Sequence, residues 1–328
     1  MVNDKIFMRF DEGIFKPYFE KFIEYKRATG EKVGTGTLKS LRVLNRELNR
    51  FNKLELSEKD LSELLKDSPE RSDSYRKDRI CKLRQFTQFL RVQGINCATV
   101  PLRYGPKVRN NFIPYIFSDQ ELNRIIDVTD NLAFRGRNHC EQTIYPVLIR
   151  ILIATGMRIG EVLKLNNQDV DTDKGVISVL HGKNGISRFI PVSESLQKTL
   201  INYQKTKNVI QSEDPFFISP YTGSYYSYDA MKWMIHKLFQ KAGVYRENGK
   251  VPNIHSFRHT FCTHSLQKML NSGMNIYTAV PILAAYVGHV NYHDSEKYIH
   301  FTEDSYQAFL KNQFFMDNII PEAEYEAD

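Results

Sequence analysis

Apolar side chains recur at three- and four-residue spacing through the front of the chain, which is the period of helices that bury one face. The spacing predicts four helices, over residues 14–29, 35–52, 56–68 and 72–92. The connections between them are short, and four helices joined in this way are typical of a compact all-α bundle. Gly94 is predicted to end the bundle, because glycine commonly follows the last turn of a helix.

Periodicity is lost over residues 95–113, a stretch that holds two prolines and a glycine and is typical of a linker. Ser118 and Glu121 then have the spacing of a capping box, which predicts the first helix of a second domain. The sequence therefore predicts a helical domain over residues 1–94, a basic linker over residues 95–113 and a second domain from residue 114.

In that second domain the pattern predicts mostly helices and one hairpin. An apolar helix is expected over residues 142–155 and further helices over residues 227–241, 255–270 and 276–287, and Ser193 is placed to cap another. Two β-rich runs, residues 176–180 and 187–192, are predicted to pair as a hairpin with Lys183 in its turn. The predicted fold class is mainly α with a small antiparallel β-sheet, in two domains.

Composition is that of an ordinary globular protein. No apolar run approaches the roughly 20 residues of a membrane span, and the N-terminal sequence lacks the apolar core of a signal peptide. The four cysteines among the 328 residues lie far apart and form no CxxC pair, which argues against a disulfide framework and a zinc ribbon. The predicted location is a reducing cytoplasm.

The formal net charge of +7 is distributed unevenly along the chain. Residues 1–112 hold 24 lysines and arginines against 15 acidic residues, whereas residues 303–328 hold 1 against 7. A basic front domain indicates a polyanionic partner, most often nucleic acid. The acidic tail is not expected to lie on that polyanion.

Seven basic residues of the front half are candidates for contacts with a phosphate backbone, four as a stripe on one predicted helix and three in the linker. They are Lys39, Arg42, Arg46 and Arg50 on the helix, and Arg103, Lys107 and Arg109 in the linker. A stripe of this kind is as often a solvated helix face as a phosphate-binding one, so both interpretations stay open.

Six residues of the second half together have the chemistry to cleave a phosphodiester without a metal. They are Arg158, Lys183, His255, Arg258, His289 and Tyr298. Two guanidiniums can bind the non-bridging oxygens of one phosphate, and a tyrosine hydroxyl can attack the phosphorus. Lysine and histidine can transfer the two protons that attack and departure require.

Each of these residues has a plainer interpretation when it is taken alone. Arg158 could be a surface charge paired with Glu161, three residues on, and Tyr298 is one of 18 tyrosines. His255 and His259 have the spacing of a helical zinc pair, with a cysteine and another histidine close behind. Zinc enzymes of that type need a glutamate inside the pair, and Arg258 at that place repels a cation. We therefore predict no metal and no cofactor.

The order of the motifs resembles one protein family. The run ATGMRIGEVLKL is followed by GKNGISR, then HSFRHTF, then YVGH and then Tyr298. These five blocks, in this order, closely resemble the tyrosine recombinases, also called the phage integrase family. The resemblance extends over about residues 114–302, which it implies are a mixed α/β catalytic domain. The helical front half is similar to the core-binding domain of that family.

The resemblance implies a role for each matching residue at the scissile phosphate. Arg158 and Arg258 would neutralise the phosphate, His289 would hydrogen-bond it, and Glu161 would support the arginines. Of the remaining three, Tyr298 would be the nucleophile, His255 would accept its proton, and Lys183 would protonate the departing 5′ oxygen. The family often has a second lysine three positions after the first. Ile186 stands there, so the lysine role rests on Lys183 alone.

The function that the resemblance implies is site-specific recombination, in which duplex DNA is cut and rejoined through a 3′-phosphotyrosine without ATP. Pro281, in the helix before YVGH, is similar to the transposon-encoded branch and favours the integration or excision of a mobile element. The implied partners are duplex DNA with inverted-repeat core sites and further copies of the chain in a DNA-bound tetramer. Residues 303–328 would dock on a neighbouring protomer. An accessory DNA-bending factor is compatible with this scheme, and a membrane has no part in it.

Three alternatives stay open at this point. A type IB topoisomerase forms the same 3′-phosphotyrosine but acts as a monomer that relaxes supercoils. A DNA-binding regulator could keep the same fold without catalysis, although the complete set of six residues argues against it. A metal-dependent nuclease is the third, and insensitivity to EDTA would separate it from the others.

Overall fold

The computed structural model describes residues 10–31, 33–66, 72–101, 113–132, 139–180, 187–207 and 211–288, with the side chains of residues 139–141 left out. The chain divides into two compact units, residues 1–112 and 113–328. The finer predicted division, into residues 1–94, 95–113, 114–302 and 303–328, stays a prediction. None of the helices in the described ranges is long and apolar enough to cross a membrane.

The first unit contains the four predicted helices: α1 (Lys16–Ala28), α2 (Thr35–Asn49), α3 (Glu58–Leu64) and α4 (Asp73–Val92). Their apolar faces meet in one core in which the rings of Phe19 and Phe86 stack with centroids 3.8 Å apart. The helix predicted to run to residue 52 ends at Asn49. Asn52 has a φ of +48°, a left-handed conformation that a right-handed helix cannot include.

The first part of the predicted linker packs on this unit. Cys97 and Val100 are buried in the same core, and the N–H of Ala98 donates to the carbonyl of Leu56 at 2.7 Å. Arg84 donates to the carbonyls of Val100 and Pro101. Residues 95–101 lack helical periodicity because single side chains and backbone groups, rather than one helix face, make these contacts.

The second unit is built from seven helices in the described ranges and a three-stranded sheet. The helices are α5 (Asp119–Asp130), α6 (His139–Thr155), α7 (Ile159–Val162), α8 (Glu194–Lys205), α9 (Tyr228–Lys241), α10 (Ser256–Asn271) and α11 (Ile276–Val287). The predicted capping box at the start of α5 is confirmed, since Ser118 and Glu121 each bond the other's backbone N–H. Ser193 caps α8, as predicted.

The small antiparallel sheet is confirmed as well. Its strands β1 (Val170–Asp171), β2 (Val176–Val179) and β3 (Arg188–Pro191) are hydrogen-bonded in the order β1-β2-β3. In β2 and β3, Ile177 faces Ile190 and both are fully buried, which fixes the register of the hairpin. The connection between these strands, residues 181–186 with Lys183, lies outside the described residues.

Helix α10 is the buried centre of the second unit, where it packs against α6 and α11. Every residue from Ser256 to Gln267 is buried, including Arg258, His259 and His264. Because polar and apolar side chains of this helix are buried alike, its sequence shows no distinct apolar stripe. This burial places Arg258 in the interior of the unit.

Gly156, directly after α6, is required by both backbone conformation and space. Its φ is +58°, and a Cβ built there would lie 2.5 Å from Cδ1 of the buried Phe261 ring. We expect Gly156→Ala to lower the free energy of unfolding by about 2 to 5 kcal/mol, because left-handed strain and overpacking act together. Urea denaturation measures the loss.

Gly223 provides the matched control for this substitution. Its φ is +64°, but a Cβ there would meet nothing within 4 Å. Gly223→Ala should therefore lower the free energy of unfolding through backbone strain alone, by about 1 to 2 kcal/mol. Equal losses for the two variants would contradict the role assigned to Phe261.

Candidate active site

Three arginines from distant parts of the second unit converge on the C-terminal end of α11. Arg188 donates from Nε to the carbonyl of Tyr286 at 2.9 Å, and Arg258 donates from Nη2 to that of Val287 at 2.6 Å. Arg158 donates from Nη2 to the carbonyl of Gly288 at 3.3 Å. The last carbonyls of a helix have no partner within the helix and form the negative end of its dipole, so cations bind them favourably. Three consecutive carbonyls thus hold three guanidiniums together.

Arg258 is the most deeply buried of the three. It lies in the first turn of α10 and is 1% exposed, the largest fully buried side chain among the described residues. Its Nη1 donates to the carbonyl of Gly156 at 3.0 Å, so the same guanidinium also bonds the chain just after α6. A buried arginine bound on two sides cannot turn away from the site.

Arg158 is positioned by the turn that follows α6. It precedes α7, and its backbone N–H donates to Oε2 of Glu161 at 3.2 Å. Its Nη1 pairs with Oε1 of the same carboxylate at 3.0 Å. The sequence prediction that Arg158 and Glu161 pair is confirmed. The arginine also reaches Gly288, so it is more than a surface charge bound to its neighbour.

Glu161 lies between two guanidiniums, those of Arg158 and Arg188. Arg188 Nη2 approaches Oε2 of the carboxylate at 2.7 Å, and the side chains of Glu161 and Arg188 are only 7% and 8% exposed. Burial by itself raises the pKa of Glu161, but the hydrogen bonds and charges of Arg188 and Arg158 outweigh burial. The pKa therefore lies below its ordinary value and the carboxylate stays charged.

This lowered pKa has a consequence for stability. A carboxylate with a depressed folded-state pKa stabilises the fold above the pKa of its unfolded state, and the stabilisation is lost as the pH falls through the folded value. At neutral pH we expect Glu161→Gln to lower the free energy of unfolding by about 3 kcal/mol, because the buried guanidinium of Arg188 and the half-buried one of Arg158 lose their common partner. Urea denaturation of both proteins across the acidic range should show this difference shrinking as the pH falls. A constant difference would contradict the assignment.

Arg188 was missed as a site residue from the sequence alone, although it belongs to the GKNGISR run. A signal was present in the strand alternation. Arg188 shares a face of β3 with the fully buried Ile190, whereas Phe189 points outward and is 73% exposed. An arginine on the inward face of a strand needs a buried anion, and Glu161 supplies it.

The predicted site residue His255 is exposed and lies at the start of α10, one helical turn before His259. The two imidazole rings are perpendicular, with centroids 4.8 Å apart. His255 and Arg258 come from the same turn, but a shared phosphate stays a prediction. Within the ranges that the structure covers, no three histidine, cysteine, aspartate or glutamate side chains are grouped to hold a metal ion.

The other predicted site residues fall into two groups. Lys183, His289 and Tyr298, together with Arg103, Lys107 and Arg109, lie outside the described residues. The stripe on α2 is described: Lys39, Arg46 and Arg50 are exposed and Arg42 is half-buried. Arg46 Nε donates to Oδ2 of Asp11 at 2.8 Å, so part of the charge of the stripe is already paired. Its contact with DNA stays a prediction.

The electrostatics of the cluster suit an oxyanion. Arg158, Arg188 and Arg258 set three positive charges against the single negative charge of Glu161, a net charge of +2. Guanidiniums bind the oxygens of phosphate in pairs, and fixed cations act most strongly where charge develops during a reaction. This arrangement can bind one phosphate group and stabilise charge that builds on its oxygens.

Comparisons with known proteins point to one family. A sequence model described as the phage integrase family matches residues 116–304, more than half of the chain. A putative integrase/recombinase, y4rE of Sinorhizobium fredii, is 28% identical over 66% of this chain and 69% of its own length. Tyrosine recombinase XerC of Staphylococcus aureus is 24% identical over 94% of this chain and 92% of its own.

Solved structures of recombinases share the fold. The XerH site-specific recombinase bound to its difH substrate aligns with a TM-score of 0.63 at 19% identity, over 85% of this chain and 80% of that one. The Tn1549 transposon integrase in complex with transposon right end DNA aligns with a TM-score of 0.59 at 20% identity, over 88% and 97%. At such low identity these likenesses establish the fold.

Proposed function

The chain belongs to the phage integrase family, the tyrosine recombinases, and we propose that the cluster around Arg158 and Arg258 is its active site. The observation that carries this proposal is the convergence of both arginines on the last carbonyls of α11. It brings together the motif blocks of Arg158 and Arg258, which are 100 residues apart in the sequence. They meet at the carbonyls of Val287 and Gly288 in the YVGH block.

In the proposed reaction the hydroxyl oxygen of Tyr298 attacks the phosphorus of one DNA linkage. A bond forms between that oxygen and phosphorus, and the bond to the 5′ oxygen breaks. His255 accepts the phenol proton, and Lys183 gives a proton to the departing 5′ oxygen. The product is a 3′-phosphotyrosine, which keeps the energy of the broken bond, so a 5′ hydroxyl from a second DNA can reverse the step without ATP.

Arg158 and Arg258 serve the phosphate in this scheme. In-line attack at phosphorus spreads charge over the equatorial oxygens, and the two guanidiniums would bind them. Their bonds to fixed carbonyls hold them in place before substrate arrives, so little reorganisation is needed during the reaction. His289 would add a hydrogen bond to the same phosphate.

We further propose that the recombination integrates or excises a mobile element. Both the y4rE relative and the Tn1549 structural neighbour are named as integrases, and the latter belongs to a transposon. The substrate would then be duplex DNA with inverted-repeat core sites. The basic stripe on α2 would contribute phosphate contacts that position the protein, and these contacts would weaken as salt is raised.

A covalent trapping assay tests the proposed function. The protein is incubated, in the presence of EDTA, with nicked suicide duplexes that carry the ends of the element in which its gene lies. We expect a protein–DNA adduct that survives denaturing electrophoresis. Cleavage that requires a divalent cation would indicate a nuclease, and duplex binding without an adduct would indicate a regulator on the same fold.

The acidic tail leads to a separate prediction on assembly. Residues 303–328 carry apolar side chains at Phe309, Leu310 and Phe314. Helix α11 has two large hydrophobic side chains at its surface, Tyr277, which is 86% exposed, and Ile282, which is 39% exposed. We propose that this tail docks on a neighbouring protomer in a DNA-bound tetramer. Deleting residues 303–328 should reduce cooperative assembly on paired sites in gel-shift titrations while single-site affinity is kept. Unchanged cooperativity would refute the docking role.

A further inference from the structure

We propose that Arg188 is a positioning residue of this active site, which acts through Glu161 on Arg158. The inference rests on the proposed function. The motif blocks assigned no role to Arg188. The proposed role follows from its contacts with Glu161 and with the carbonyl of Tyr286.

Arg188 joins three separate elements. From β3 its Nη2 pairs with Oε2 of Glu161 at 2.7 Å, and its Nε donates to the carbonyl of Tyr286 at 2.9 Å. Glu161 in turn holds Arg158 through Oε1. Arg188 is therefore connected to Arg158 through a single carboxylate, and it bonds α11 two residues before Gly288.

The geometry needs the planar fork of an arginine. One guanidinium directs Nη2 to a carboxylate and Nε to a backbone carbonyl on another element, which a lysine ammonium on a flexible stem cannot hold in the same way. Space at the site is also tight. A Cβ built at Gly288, whose φ is +69°, would lie 3.0 Å from Nη1 of Arg188.

Loss of Arg188 should act on the reaction through Arg158. Without Arg188, Glu161 keeps Arg158 as its one cationic partner and is drawn toward it alone. The guanidinium of Arg158 is then no longer held in a fixed orientation. Residues that orient metal ligands typically contribute about 10- to 100-fold to activity, and we expect a loss of the same order when an orienting partner of Arg158 is removed. Duplex binding should remain, because it depends on many phosphate contacts spread over the protein.

The test compares full-length Arg188→Gln, Arg188→Lys and the wild type on the nicked suicide duplex of the trapping assay. We expect the rate of adduct formation to fall about 10- to 100-fold for Arg188→Gln and less for Arg188→Lys. Duplex affinity should be unchanged in gel-shift titrations. Arg150→Gln is the matched control, because Arg150 makes an equally direct two-point pair, with Asp130, at the surface of the same unit.

A double-mutant cycle separates positioning from general destabilisation. If Arg188 acts through Glu161, Arg188→Gln should cost little further rate in a Glu161→Gln background. Additive losses, or a wild-type rate in Arg188→Gln, would overturn the inference while the proposed function stands. If Arg188→Gln does not fold, Arg188→Lys decides: an unchanged adduct rate overturns the inference. Absence of any adduct with the wild type would overturn the proposed function, and this inference with it.

Discussion

Tyr298→Phe is expected to abolish the covalent protein–DNA adduct while leaving duplex affinity intact. The substitution removes a single oxygen, and that oxygen is the atom proposed to bond the phosphorus. The substitution separates chemistry from binding, because the phenylalanine ring keeps the shape and the apolar surface of the tyrosine ring. The measurement is denaturing electrophoresis of the nicked suicide duplex after incubation, with a gel-shift titration for affinity.

Tyr221→Phe is the control for this experiment. Tyr221 is 69% exposed, so removing its hydroxyl should change neither the formation of the adduct nor the affinity for the duplex. An adduct that persists in Tyr298→Phe would show that another side chain is the nucleophile. Mass spectrometry of the adduct peptide would then identify that residue, and the tyrosine recombinase mechanism would have to be assigned to different positions.

Arg258→Lys is expected to damage stability and catalysis together, although it conserves the charge. A lysine ammonium cannot span the carbonyls of Gly156 and Val287 as the guanidinium does. Leaving a buried acceptor without its donor costs about 1 to 3 kcal/mol, and we expect a loss of that size in the free energy of unfolding. Urea denaturation measures it.

Arg258→Lys should reduce the rate of adduct formation by more than its loss in the free energy of unfolding accounts for. Removing one fixed donor to a developing oxyanion typically costs about 10²- to 10³-fold in rate, and we expect a fall of that order in adduct formation at a temperature where the variant is folded. Arg150→Lys is the control, since its pair with Asp130 lies at the surface and should contribute less than about 1 kcal/mol. Wild-type cleavage by folded Arg258→Lys would remove Arg258 from the proposed site.

The parts of the site that the sequence predicted are those whose partners are close in the chain. Arg158 and Glu161 are three residues apart, the spacing of an N-cap residue and the third residue of a helix, and the pairing that this spacing allowed is present. The capping box of Ser118 and Glu121 is local in the same sense. In both cases the sequence holds the two partners and the spacing that brings them together.

The contacts of Arg188 and Arg258 show why the rest could not be predicted. Arg258 bonds the carbonyl of Gly156, 102 residues away, and Arg188 bonds that of Tyr286, 98 residues away. Every residue has a backbone carbonyl, so nothing in the sequence distinguishes the ones that an arginine will meet. Helix α10 itself was predicted, but its burial on all sides was not, because a helix buried throughout lacks the amphipathic pattern that marks one buried face.

The amino-acid sequence predicted most of the described helices, two of the three described strands, one capping box, one serine cap and the order in which the chemically active residues occur. It did so because periodicity, capping and motif order are local properties that survive without contacts. The convergence of Arg158, Arg188 and Arg258 on the end of α11, and the sharing of Glu161 by Arg158 and Arg188, depend on the tertiary structure. These contacts depend on packing, since α6, α10, α11 and β3 must bury their apolar faces against one another before three positive charges are held together at the proposed phosphate site.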